Sequence, residues 1–391
     1  MANKRIGILT GGGDVPGLNS VIKSVVYSAT GENGFEVIGF RRGWKGLTHL
    51  APDGSTDAEY VLPLDRQNTR TVDREGGTFL HTSRTNPSKM KLDGMPEYLR
   101  KRSEKMKEVK PGVVDITPMV LENLQRLKVD YLVAIGGDDT LSYAAVLDKA
   151  GFPVVAVPKT MDNDVQNTEY CIGFSTALTR AVEAIQRQRT TIGSHERIGI
   201  FRIFGRDAGF TALYTAYVTS IRCCIPEVEF DLEHLCQILL NDRENNPSRY
   251  SLVVLSEGAV WAGHKVIEYG EADAFGHKKK ANIGEQLSDE LKKRSRQETV
   301  VSDLTYDLRS GDPDFLDKMI ATTFANMAFE CIASNTHGKM MAIRNGCYAV
   351  ADIPDPKLGA RKVDVANMYN IDRFRPNYSH KQGLPIFLTK V

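Results

Sequence analysis

The stretch Lys4-Arg5-Ile6-Gly7-Ile8-Leu9-Thr10-Gly11-Gly12-Gly13-Asp14-Val15-Pro16-Gly17-Leu18-Asn19 sets an apolar run, a glycine-rich turn and a helix start in immediate succession. Ile6–Leu9 reads as the first strand and Ser20–Ala29 as the helix that follows. The apolar run is far too short for a signal sequence. Glycines without a Cβ let backbone N–H groups approach an anion closely, and the helix N-terminus adds a favourable dipole. The pattern is neither the dinucleotide fingerprint G-x-G-x-x-G nor the phosphate loop ending in Gly-Lys-Ser/Thr. Read alone, a tight strand-to-helix turn without a ligand accounts for it equally well.

The same grammar recurs downstream. Glu36–Phe40, Tyr131–Ile135, Val154–Val157, Ile198–Phe204 and Ser251–Ser256 read as strands. Amphipathic stretches at Val21–Ala29, Val120–Leu127, Ser142–Lys149 and Thr176–Arg189 read as helices. Alternation of this kind predicts an α/β fold of mainly parallel sheets flanked by helices, and ligands in such folds bind beyond the carboxyl ends of strands. A length of 391 residues predicts two or three domains at ~100–200 residues each. Hydrophobic residues at 41% and charged residues at 25% suit a soluble globular enzyme. The formal net charge of +1 provides no global field for nucleic acid or an anionic membrane, so an anionic ligand needs a local cluster. No apolar run approaches the ~20 residues of a spanning helix. Six scattered cysteines, with only Cys223 and Cys224 adjacent, predict reduced thiols in a cytoplasm.

Two further motifs follow predicted strands. In Gly136-Gly137-Asp138-Asp139-Thr140, adjacent carboxylates call for a compensating cation, and Mg²⁺ is the natural one; an Asp capping the next helix is the alternative. Pro158-Lys159-Thr160-Met161-Asp162-Asn163-Asp164 sets a cation, a hydroxyl and two carboxylates together. Phosphoryl transfer needs positioned groups, charge compensation and one base, which Asp162 and Asp164 suit. Arg84, Arg206 and Arg309 each stand near glycines, and a planar guanidinium grips phosphate with two parallel bonds. Asp93–Pro111 reads as a charged surface insertion, partly helical over Tyr98–Lys107, and Gly270–Gly284, with Lys278-Lys279-Lys280, as a solvated loop.

Taken in order, these motifs resemble the phosphofructokinase family. The resemblance runs from Lys4 to about Ile343 through Gly12–Asn19, Gly76–Leu80, Gly136–Asp138 and Thr160–Asp164. It continues through Gly173–Ala177, Val182–Ile185, His195-Glu196-Arg197, Gly205-Arg206 and Ser256-Glu257-Gly258. It implies an active site in an interdomain cleft. The larger domain, 1–173 plus 308–360, would bind the phosphoryl donor and magnesium; the smaller, 174–307 plus 361–391, would bind the sugar phosphate. Asp162 is implied as the general base, aided by Lys159 and Arg206, with Asp138 as the Mg²⁺-associated carboxylate. Gly12, Gly13, Arg84, Asp139 and Lys159 are implied on the donor. Thr160, Asp164, Phe204, Gly205, Arg206, Glu257, Tyr306 and Arg309 are implied on the sugar phosphate or transition state. Arg197 matches a family arginine that enters a neighbouring subunit's site, which implies a homodimer or homotetramer.

ATP-using members generally have Gly where this chain has Asp139 and Lys159. Asp139 would intrude on and repel an α-phosphate, while Lys159 would balance pyrophosphate. The pair, with Tyr306, resembles the pyrophosphate-dependent branch, so reversible transfer from pyrophosphate to the 1-hydroxyl of fructose 6-phosphate is expected. Three residues depart from the pattern: Phe204 replaces Met, Ser310 replaces Gly, and Val300 replaces a second intersubunit arginine. Loss of a charged phosphate contact costs a few kcal/mol. Another acceptor such as sedoheptulose 7-phosphate therefore stays open, as does replacement of the missing cation by Arg180, Lys278 or Arg296. An ATP-dependent enzyme is the other alternative.

Overall fold

The computed structural model describes residues 4–264, 268–269, 279–280 and 282–379. Two sheets carry the fold. In chain order their strands are β1 (Arg5–Thr10), β2 (Glu36–Phe40), β3 (Val61–Leu64), β4 (Tyr131–Gly136), β5 (Val154–Pro158) and β6 (Ile198–Ile203). There follow β7 (Arg222–Cys224), β8 (Ser251–Ser256), β9 (Thr299–Leu304), β10 (Lys339–Arg344) and β11 (Cys347–Asp352). The larger sheet runs β11-β10-β5-β4-β1-β2-β3, parallel except for its edge strands β11 and β3. The smaller runs β7-β8-β6-β9 and is parallel throughout.

The central strands are covered on both faces, which is why they read as unbroken apolar runs. Along β1, Ile6 and Ile8 join a core with Val21 and Val25, whereas Leu9 joins Phe40, Trp44 and Leu132 on the opposite face. Five helices matter for the site: α1 (Leu18–Ala29), α2 (Asp138–Lys149), α3 (Phe174–Ser194), α4 (Phe210–Thr219) and α5 (Phe315–Ala333). The chain goes from β1 to β2 on one side and later returns to place β4 on the other. Strand order therefore reverses at the β1–β4 pair, where ligand sites of such sheets open. Gly11 N donates to Ile135 O at 2.9 Å, so the first two glycine turns lie side by side at that point.

Helix α3 carries the chain from the larger sheet to the smaller, and its start is held from α5. The Asp317 carboxylate accepts from Gly173 N and Thr176 N, each at 2.8 Å, and from Tyr170 Oη at 2.6 Å. Burial raises its pKa to about 6 although these donors pull it down. Among the described residues no helix is long and apolar enough to cross a membrane.

Several local expectations need correction. Helix α2 starts at Asp138 rather than Ser142, with Gly137 at its cap position and no side-chain cap bond. Asp138 and Asp139 thus occupy the first helical turn and neither is the cap; their charge had hidden the helix from the apolar periodicity. Strand β6 ends at Ile203, leaving Phe204 in the turn. The 93–111 segment is helical only over Glu97–Arg100 and Ser103–Lys105, and Lys107–Lys110 is a strand in a three-stranded sheet with Met90–Lys91 and Val113–Asp115. Its own core of Met95, Leu99, Val114, Ile116 and Met119 holds it together. Within the stretch read as a loop, Lys279–Lys280 pairs antiparallel with Glu268–Tyr269, and Ile283 begins a helix. Lys278 lies outside the described residues.

Candidate active site

The carboxyl ends of both sheets open into one cleft of about 460 Å³. Its larger-sheet wall comes from the turns after β1, β4 and β5. Gly12 takes φ 78°, the left-handed region, and a Cβ there would stand 3.2 Å from Lys159 Nζ. At Gly13 a Cβ would meet Arg309 Nη1 at 2.5 Å. At Gly12 and Gly13 the wall is therefore backbone, because side chains of cations already stand close to the space a Cβ would take.

Lys159 is 4% exposed and its Nζ donates to Gly13 O at 2.6 Å. Burial, and then the Arg309 charge, lower its pKa to about 8. The Arg309 guanidinium lies 4.7 Å from the centre of the Phe204 ring, and its Nη1 stands 3.9 Å from Asp14 Oδ1. Its buried Nε has no protein partner among the described residues. Lys159 and Arg309 thus present a compact positive group beside glycine backbone, suited to phosphate. Arg84 lines the same cleft.

The opposite character prevails around Asp138. Burial first, then the carboxylates of Asp164, Asp139, Asp162 and Asp207, raise its pKa to about 8. Asp162 is also pushed well up, by burial and by Asp164 and Glu257, with Arg206 and Arg309 pulling the other way. Burial raises Asp164 too. Among the described residues no three His, Cys, Asp or Glu side chains form a closed metal cage. Mg²⁺ does not need one: it takes one or two carboxylates and leaves its other positions to water and phosphate oxygens. Asp138, crowded by like charges in a cleft wide enough for a ligand, fits that requirement.

Local structure fans the third motif into the cleft. Asp162 N donates to Thr160 Oγ1 at 3.2 Å. Asn163 adopts φ 53°, a left-handed conformation that Asn tolerates. Its amide bridges Glu169 O at 2.9 Å and Cys171 N at 2.8 Å, holding Asp162 and Asp164 on either side. From the smaller sheet come Phe204, Arg206 and Glu257. Arg206 Nε donates to Asp207 Oδ2 at 2.9 Å, and Arg202 Nη2 donates to Glu257 Oε2 at 3.3 Å.

The structure thus brings Gly12, Gly13, Arg84, Asp138, Asp139, Lys159, Thr160, Asp162, Asp164, Phe204, Arg206, Glu257 and Arg309 to one cleft. Three expected residues do not line it. Gly205 acts through its backbone turn, at φ 123°. Tyr306 is 77% exposed with its ring 5.9 Å from the Arg309 guanidinium. Arg197 is held on the surface by Glu298, Nε to Oε2 at 2.7 Å. Of the replacement cations considered for Val300, Arg180 instead donates to Asp312 O at 2.7 Å, and Arg296 is exposed at a helix end away from the cleft.

Sequence reasoning missed Val15, Met161, Asp207, Ala360 and Lys362, all in the cleft wall. Gly359-Ala360-Arg361-Lys362 carries two cations beside a glycine, the same cue that singled out Arg84, Arg206 and Arg309.

Comparison with known proteins gives a consistent picture. Residues 5–332 match the family model "Phosphofructokinase". A pyrophosphate–fructose 6-phosphate 1-phosphotransferase of Streptomyces coelicolor is 36% identical over 93% of this chain and 97% of its own length. An ATP-dependent 6-phosphofructokinase of the same organism is also 36% identical, over 90% of this chain and 94% of its own length. The crystal structure of a pyrophosphate-dependent phosphofructokinase from Marinobacter aquaeolei superposes with a TM-score of 0.77 at 16% identity, covering 98% of this chain and 91% of that one. The last likeness concerns the fold.

Proposed function

Since the chain belongs to the phosphofructokinase family, we propose that it transfers a phosphoryl group reversibly from inorganic pyrophosphate to the 1-hydroxyl of fructose 6-phosphate, in the presence of Mg²⁺. The observation that carries the choice of donor is that Asp139, in the first turn of α2, and buried Lys159, bonded to Gly13, line one cleft.

In this reading the backbone of Gly12 and Gly13, with Arg84, Lys159 and Arg309, holds pyrophosphate. Positioned donors and cations stabilise charge that spreads over the transferring oxygens. Mg²⁺ on Asp138, when bound, supplies charge compensation for the phosphate oxygens. Asp162 accepts the proton of the attacking hydroxyl; the buried, carboxylate-rich surroundings that raise its pKa favour its keeping that proton. Thr160, Asp164, Arg206 and Glu257 orient the sugar phosphate, and Phe204 holds the Arg309 guanidinium over its ring.

Asp139 also bounds a side pocket of about 210 Å³, lined by Asn86, Lys89, Ser142, Pro354 and Asp355 among others. Asp138 and Asp139 line both this pocket and the cleft, so a nucleotide spanning the two would lie against both carboxylates, and the pocket is smaller than the ~300–1,000 Å³ of ordinary small-molecule sites. The ATP-dependent reading is supported by relatives of that name at equal identity. Sedoheptulose 7-phosphate is the alternative acceptor, motivated by Val300.

The domain division we propose is 1–173 plus 308–360, which includes β1–β5, β10 and β11, and 174–307 plus 361–391, which includes β6–β9. A homodimer or homotetramer, with Arg197 reaching a neighbour's sugar site, accords with Arg197 standing outside its own cleft. A cytoplasmic setting suits these substrates. The test is a steady-state panel of pyrophosphate and ATP against fructose 6-phosphate and sedoheptulose 7-phosphate with Mg²⁺. Turnover with pyrophosphate and fructose 6-phosphate is expected to dominate; ATP-only turnover would contradict it.

A further inference from the structure

Residues 359–363 lie beyond the 5–332 segment that matches the family, yet two of them, Ala360 and Lys362, line the cleft. Arg361 turns inward between Ala360 and Lys362 and is 6% exposed. Its Nη2 donates to the carbonyl of Asn163 and, at 3.3 Å, to that of Glu169. Its backbone N–H donates to Asp164 O at 2.6 Å. The guanidinium carbon stands 4.3 Å from the centre of the Phe210 ring, the first residue of α4.

The neighbours continue this stitching. Lys362 Nζ donates to the Asp207 carbonyl. Val363 N and Gly209 N both donate to Glu227 Oε1, each at 2.9 Å. Three consecutive residues thus join the loop carrying Asp162 and Asp164, which leaves the larger sheet, to the turn carrying Arg206 and Asp207, which leaves the smaller one.

We propose that Arg361 is a positioning residue: it clamps the peptide between Asp162 and Asp164 against α4 and so fixes the Asp162 carboxylate relative to Arg206. This rests on the roles given to Asp162 and Arg206 above. An arginine suits the task because Nη2 alone reaches both carbonyls while the flat guanidinium lies on the Phe210 ring, a stacking that a lysine ammonium does not reproduce; Nε and Nη1 have no protein partner among the described residues. Arg361 adds to the bonds that already hold this loop: the Asn163 amide to Glu169 O and Cys171 N, and Thr211 Oγ1 of α4 to Met161 O at 2.9 Å.

The test compares Arg361→Ala, Arg361→Lys and Arg361→Gln with the wild type, using whichever donor the wild type accepts and scaling rates to the folded fraction. A misplacement of about 1 Å costs on the order of 10² in rate, so kcat of Arg361→Ala is expected to fall about 10²-fold with KM for both substrates nearly unchanged. Guanidinium ion at tens of millimolar should restore a good part of kcat to Arg361→Ala and not raise that of the wild type. If the alanine variant does not fold, Arg361→Lys and Arg361→Gln carry the test through the same fall in kcat at constant KM. Unchanged kcat in folded variants, or a loss that only follows the folded fraction, would overturn the clamp. A wild type that turns over beside unaffected variants removes the clamp alone; a wild type inactive with every donor removes both the clamp and the reaction it serves.

Discussion

The cleft has two kinds of wall. The turns after β1, β4 and β5 form one wall from short local motifs: bare backbone at Gly12 and Gly13, where a Cβ would stand 3.2 Å from Lys159 Nζ or 2.5 Å from Arg309 Nη1, and the side chains of Asp138, Asp139, Lys159, Asp162 and Asp164. Ala360 and Lys362 line the same cleft, and the residue between them reaches its partner across the chain: Arg361 donates to Asn163 from 198 residues away. Walls of the first kind shape an anion site through local sequence and leave a motif. Walls of the second kind act through distant partners, which the local pattern of two cations beside Gly359 does not name.

Four substitutions sharpen that contrast, from the largest effect to the smallest. Asp162→Asn removes the base and should lower kcat by ~10²–10⁴ with the fold intact; near-normal turnover would take Asp162 out of that role and leave the Arg361 clamp with nothing to position. Gly13→Ala puts a methyl group where Arg309 Nη1 now lies, 2.5 Å away. Its kcat/KM for pyrophosphate should fall by about 10–10², the range for a displaced contact made in the transition state, and an unchanged value would show that the wall does not depend on bare backbone. Asp139→Gly with Lys159→Gly should weaken pyrophosphate use and open a measurable ATP rate; pyrophosphate kinetics identical to wild type would break the argument for the donor.

The smallest effect concerns stability. The folded-state pKa of Lys159 is lowered to about 8, so its buried charge is a cost that is complete below about pH 8 and fades as pH rises toward the ordinary lysine value. Lys159→Met should therefore raise unfolding stability near pH 7 by about 1–3 kcal/mol, at ~1.4 kcal/mol for each tenfold change in the protonation equilibrium less the lost bond to Gly13. In urea titrations the gap from wild type should close above pH 8. In the free wild-type enzyme, kcat/KM for pyrophosphate should decline through the same pH as Lys159 loses its charge, a limb that Lys159→Met should lack.

Much of this molecule was legible in the sequence for a physical reason. Parallel strands buried on both faces read as continuous apolar runs, so Glu36–Phe40 and Ser251–Ser256 were bounded correctly and β1, β4 and β5 to within a residue at each end. The motif turns stood out because anion cradles need glycine and compensated carboxylates. Strands β3, β7, β9, β10 and β11 are not among the strands the sequence predicts: β3, β7, β9 and β11 are sheet edges, and buried β10 shows only the short apolar run Met340–Ile343 between a lysine and an arginine. Helix α2 was begun late because the site's own Asp138 and Asp139 fill its first turn. The small core around Leu99 was hidden by the charges of the 93–111 segment. Asp317 and Glu227 matter through long-range bonds to α3 and to Gly209, which nothing in their immediate neighbours announces, whereas Arg361 stands in a pair of cations beside Gly359 but its partner Asn163 is not named by that pattern.

The central claim is the donor, and the reverse reaction tests it most directly. Purified enzyme is given fructose 1,6-bisphosphate, inorganic phosphate and Mg²⁺, with ADP in a parallel sample, and products are followed by phosphorus NMR. The account predicts that pyrophosphate and fructose 6-phosphate appear together in the phosphate sample, with little ATP in the other. ATP formed from ADP, with no pyrophosphate formed from phosphate, would contradict it.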